Sequence, residues 1–121
     1  MSGIGWSLKF IDSQAITSGA TAYSQPLRIG HSDKLSLHLA WTIASAAAVT
    51  TTVWSSNKNS PTTADDTDWV QETAITVAGP TSATGKSMTH ISNVNSRFLR
   101  LKFVSTSGTV GDVDGYAQLK G

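Results

Sequence analysis

Three carboxylates stand within four residues at Asp65-Asp66-Thr67-Asp68. Hard cations such as calcium take several carboxylate oxygens converging from one loop, so this cluster is the first candidate for ion chemistry. The central glycine and closing glutamate of a calcium loop are missing, and acids beside Thr62 and Thr63 in a polar loop are expected to be solvated charges that hold no metal. The histidines at 31, 38 and 90 are isolated in sequence, and no pair has the spacing that binds zinc from one element. His38 falls on the polar side of its segment, where a solvent-facing or cross-strand role is expected before a catalytic one. The chain has 17 serines, but no G-x-S-x-G elbow accompanies them, and a nucleophilic triad is defined by geometry rather than by counts. Thr84-Gly85-Lys86-Ser87 has the tail of a phosphate-binding loop without its first glycine, the nearest being Gly79, and without the strand and helix that loop needs. Trp54 and Trp69 flank the polar stretch from Ser55 to Asp68. Two indoles beside Asn, Asp and Ser could form a sugar-stacking platform; the reading preferred is that Trp69 closes the core under the loop and Trp54 covers a sheet face. No catalytic residue, cofactor or metal ligand is therefore assigned.

The elements that must carry these residues read as strands. Ser and Thr number 33 of the 121 residues and Glu occurs once, at Glu72, a composition that suits pleated strands and turns and starves helices. Leu35, Leu37, Leu39 and Trp41 alternate with Ser36, His38 and Ala40, the period of two that marks a half-buried strand over 34–41. Over 97–104, Leu99, Leu101 and Phe103 share one face, and Phe98, Arg100, Lys102 and Val104 share the other. The first face is expected inward and the second outward, so that Arg100 should tolerate replacement and Leu101 should not. Further strands are expected at 6–11, with Trp6, Leu8 and Phe10 on one face, and at 48–55. Shorter ones are expected at 20–29, 69–77, 86–91 and 113–119. The small residues from Ile43 to Ala48 read as a hairpin connection. Turn-forming residues between these segments fit about eight strands in a single antiparallel β-sandwich of jelly-roll type, an all-β fold occupying 6–121.

Composition narrows the function classes. Lys plus Arg at 9 against Asp plus Glu at 8 leaves a net charge of +1, too small a field to attract nucleic acid. Without cysteine there is no disulfide framework or thiolate site. The start of the chain lacks a signal-peptide pattern, and the apolar run at 43–49 is far shorter than a membrane span, so a chain folded in a cytosol, away from membranes, is expected.

The spacing that joins Leu39-Ala-Trp41 to Val53-Trp-Ser-Ser-Asn57, then to Asp68-Trp69-Val70, Arg97-Phe-Leu-Arg-Leu-Lys-Phe-Val-Ser-Thr-Ser-Gly108 and Gly115-Tyr-Ala-Gln-Leu-Lys-Gly121, resembles a group of small bacteriophage structural proteins. The resemblance covers 34–121. It implies two halves of a β-sandwich and attachment to the virion, as a head decoration (cement) protein or as a tail or fibre component. The loop at 56–67 departs from the commonest form of the group. The function expected is therefore non-enzymatic: a homo-oligomer that docks on a capsid or tail protein and is assembled in the host cytoplasm. The alternative is a glycan-binding module using Trp54 and Trp69. Residues 1–5 form a flexible arm, with Ile4 and the adjoining Trp6 as expected interface contacts.

Overall fold

The computed structural model describes residues 6–30, 34–92 and 94–120, with side chains from residue 8 onward. The expected arm at 1–5, with Ile4, lies outside the described residues, as does the side chain of Trp6. Among the described residues the chain is all-β, 61% strand and without a helix, and its antiparallel sheet curls into a half-barrel. The seven strands are β1 (Trp6–Ile11), β2 (Thr21–Tyr23), β3 (Leu27–Arg28), β4 (Lys34–Ser56), β5 (Val70–Gln71), β6 (Gly85–Ser92) and β7 (Phe98–Lys120).

The two 23-residue strands β4 and β7 pair from Lys34 opposite Lys120 to Ser56 opposite Phe98. Straight strands of that length would run about 75 Å, roughly twice the width of a compact chain this size. The pair must fold over. It does so where the register shifts four times, between Thr42 and Val49 of β4. The stretch from Ile43 to Ala48, expected to be a hairpin connection, is thus the bent middle of a continuous strand. Bulges place extra residues on one strand and increase its local bend and twist. Small residues let the two backbones close up: Gly108 has φ of 72°, and a Cβ there would stand 1.9 Å from the Ala46 carbonyl oxygen. Hydroxyls serve the backbone groups that the bulges free. Ser105 Oγ donates to the Gly108 carbonyl (2.8 Å), Thr106 Oγ1 donates to the Ala48 carbonyl (3.3 Å), and Ser45 Oγ accepts from the Thr109 N–H (2.9 Å). Segments 34–41 and 48–55 therefore belong to one strand, and 97–104 and 113–119 to another; these two mergers, with the division of 20–29 into β2 and β3, turn about eight expected strands into seven.

On one side of the bend the order is β1-β7-β4-β6; on the other, β2 and β3 flank β7 while β5 flanks β4. The inner faces meet in one core that includes Leu35, Leu37, Leu39 and Trp41 from β4 and Leu99, Leu101, Phe103 and Val113 from β7. The period-two reading of both strands holds on this face. In β1 a bulge between Lys9 and Ile11 buries both Phe10 and Ile11. Leu8 shares a row with Ala117 and Leu37 but sits at the sheet edge, 44% exposed. The expected strand at 20–29 is interrupted before Leu27, and that at 69–77 shrinks to β5.

Candidate functional site

Register brings the chemistry-bearing residues together on the outer face of the sheet beside β5. Arg100 lies opposite Trp54, which lies opposite Gln71; one row along, Lys102 lies opposite both Tyr23 and Thr52. Alternation along β7 turns Arg100 away from the core of Leu99 and Leu101, yet it is fully buried, with 0% of its surface exposed. Arg100 is on the outer face as expected, but the expectation that this face leaves it open, and so tolerant of replacement, is corrected. Its cover is the loop at 57–69, which leaves β4 and returns into β5.

The guanidinium lies 3.9 Å from the Tyr23 ring centroid and 4.4 Å from that of Trp69. Nη1 donates to the Thr63 carbonyl (3.3 Å), and Nη2 donates to the Asp65 carbonyl (2.6 Å) and to Asp66 Oδ1 (3.2 Å). Lys102 Nζ donates to the other Asp66 oxygen at 2.5 Å. Burying a cation costs several kcal/mol unless its charge and donors are matched. Here a carboxylate, two carbonyls and two aromatic rings supply the match, although the buried Nε has no partner.

The loop is also bonded within itself. Trp69 Nε1 donates to the Thr62 carbonyl (2.6 Å), and the Trp69 N–H donates to the Asp66 carbonyl (3.0 Å). The Asp68 carboxylate accepts from the Thr62 N–H and from Lys58 Nζ, both at 2.7 Å, while Asp65 Oδ1 accepts from the Thr67 N–H (3.0 Å). The expectation of three merely solvated acids is corrected for Asp66 and Asp68, which hold cations of the chain itself; Asp65 remains exposed. All three carboxyls lie below their ordinary range. Thr67 donates to Asp65, and Lys58 with the Thr62 N–H stabilises the Asp68 anion. Partial burial pushes Asp66 up, but Lys102, with Tyr23 and Arg100, pulls it further down. Among the described residues no group of three or more His, Cys, Asp or Glu is placed to hold a metal ion.

Trp69 is 5% exposed with Arg100 against its ring; it is buried under the loop as expected, but on the outer face of the sheet and outside the hydrophobic core it was expected to close. Trp54 is half-buried on the sheet; its Nε1 donates to Thr52 Oγ1 (2.8 Å), and Lys102 Nζ stands 5.1 Å from its centroid. The two indoles therefore share one cluster, with Trp54 the one that presents surface. His38 and His90 lie far from it, on the outer face of the β1-β7-β4-β6 side, and His31 lies outside the described residues. Of the phosphate-loop fragment, Thr84 precedes β6 and Gly85, Lys86 and Ser87 open it; Thr84 Oγ1 accepts from the Ile43 N–H (3.0 Å) and the Trp41 ring covers Gly85.

The chain matches no protein-family model and no curated protein.

Sequence reading missed Arg100, Tyr23 and Lys102 as one unit. The signal available was an acidic loop bounded by two indoles and a basic strand rich in apolar residues. What it lacked was the register that sets Arg100 beneath the loop.

Proposed function

We propose that this chain is a non-enzymatic bacteriophage virion protein, most specifically a capsid decoration or cement protein that assembles with itself and with the capsid and stabilises the particle. The observation that carries the reading is that the segments bearing the phage resemblance form one unit. Residues 39–41 and most of 53–57 lie on β4, 98–108 and 115–120 lie on β7, and 68–70 close the loop that Arg100 latches to both. The finer fold assignment is a jelly-roll-like sandwich, supported by two halves of one curled sheet facing a common core. A rigid body whose main charge cluster is closed upon itself suits a protein that holds position on a surface. The working site is the virion, with assembly in the host cytoplasm; a tail or fibre position is the variant of the same reading.

Gold-labelled antibody against the purified protein, applied to particles of the phage that encodes it, tests the reading. Label on heads is expected. Label on tails moves the assignment within the virion, and particles without label overturn it. A glycan array on the same protein addresses the alternative at Trp54 and Trp69.

A further inference from the structure

The outer face of the sheet across the bend from Arg100 carries a trough, and we infer that it receives an extended acidic segment of the protein on which this chain docks. The inference rests on the reading above that the chain works by docking to a partner protein.

The trough follows from side-chain length. β4 is flanked by β7 and β6 here, and Ser36, a short side chain on the central strand, lies between Gln118 and His90. Two depressions of about 310 and 220 Å³ share Ser36 and Gln118 in their linings and lie next to each other along β4. From Lys34 to His38 the furrow is about 13 Å long, room for about four residues of extended chain.

Its ends differ in chemistry. At one end Lys34 and Lys120 are direct cross-strand partners. Like charges placed opposite each other work against the ladder, and a carboxylate set between them would offset that repulsion. At the other end lie Met88, 55% exposed, and Tyr116, 37% exposed, two of four large apolar side chains left open among the described residues. They flank His38 of the central strand, one on each side, and a flexible thioether and an aromatic ring about an imidazole suit an apolar side chain. Between the ends, Ser36, Gln118 and His90 offer hydrogen-bonding groups to a peptide backbone.

Charge and geometry favour polypeptide over the other occupants. Lys9 Nζ stands 5.6 Å from the Tyr116 centroid, and the His38 ring is tilted at 46° and 5.9 Å from it. A ring flanked in this way is a poor flat platform for a sugar. The arm of a second copy, Met1-Ser-Gly-Ile-Gly5, contains no carboxylate.

The test titrates the full chain into a fluorescein-labelled, end-capped hexapeptide of alternating Glu and Val, read by anisotropy. Saturable binding is expected. Lys34→Glu/Lys120→Glu and Met88→Ser/Tyr116→Ser should each weaken it about tenfold or more, while Arg28→Glu/Arg97→Glu, the same charge change at the opposite end, should alter it by less than about twofold. All six side chains are exposed, and a thermal melt of each variant confirms folding. No saturable binding, or equal loss in all three variants, overturns the inference. So does dextran sulfate that displaces the peptide and depends on the same residues, which assigns the trough to a polyanionic glycan, or an oligomer that Lys34→Glu/Lys120→Glu converts to monomer, which assigns it to a second copy. Peptide binding with unlabelled particles removes the virion reading alone; labelled particles that retain the Lys34→Glu/Lys120→Glu variant undiminished remove the trough alone.

Discussion

At the residue scale, Arg100 shows how a charge can be made to hold a fold. Its guanidinium is planar, so rings can lie against it, and its several N–H groups reach two carbonyls and a carboxylate of one loop. An ammonium can occupy the space without meeting that pattern. Arg100→Ala is expected to cost about 3 kcal/mol in urea unfolding, and Arg100→Lys to recover less than about half of it, with the loop at 57–69 becoming cleavable by protease in both. An Arg100→Ala protein with unchanged stability and an uncleaved loop would show that the latch is idle. Acid tests the same cluster from the other partner. The Asp66 carboxyl is held below its ordinary range, so its contribution is complete above about pH 4, the unfolded value, and is lost as pH falls through the depressed folded value. Asp66→Asn should therefore melt lower than the parent at pH 7, and the gap between them should narrow toward pH 2. A gap independent of pH would mean that the charge of Asp66 does not contribute.

At the scale of elements, the bend in β4 and β7 is what turns a long two-stranded ribbon into a closed core. Gly108 serves it twice, through a positive φ and through the approach of the Ala46 backbone, whereas Gly19 has φ of 75° with nothing within 4 Å of a Cβ. Gly19→Ala is expected to cost about 1 kcal/mol, from backbone strain alone. Gly108→Ala should cost about 3 kcal/mol or more, since the two strands must also move apart at the bulges. Equal losses in paired thermal melts would remove the close approach from the account of the bend. The alternation in β4 and β7 was legible on their inner faces, because period two survives along each straight half. The bend itself was not legible. Small residues between two apolar runs serve a hairpin and a bulged strand equally well, and long-range pairing with Ser105 to Asp112 decides between them.

At the scale of the whole molecule, the core joins both sides of the bend, so damage at its centre should spread to the entire fold. Leu101 is fully buried, and its backbone is tied to Ser24 by hydrogen bonds of 2.8 and 3.0 Å. Leu101→Asp would bury a carboxylate among apolar side chains and should prevent folding, seen as loss of the cooperative melt. A folded Leu101→Asp protein would place the strand register wrong by one residue. Assembly is a separate property of the molecule. Deleting residues 1–5 is expected to leave the melt unchanged and to reduce the recovered oligomer or particle-bound protein, because one short segment contributes little binding alone and several copies contribute together. Undiminished assembly after the deletion would remove the arm from the interface.

The sequence alone determined the all-β class, the inward rows of Leu35 to Trp41 and of Leu99, Leu101 and Phe103, and the burial of Trp69 under its loop. Each follows from local chemistry, since alternation, β-branching and aromatic size act within a few residues of one another. Only the tertiary structure decided that Arg100 is buried, that Asp66 pairs with Arg100 and Lys102, and that Ser36 floors a trough between β6 and β7. Those properties depend on residues dozens of positions apart. A strand's outer face is exposed or covered according to what folds onto it, and no pattern within the strand encodes the loop that does so.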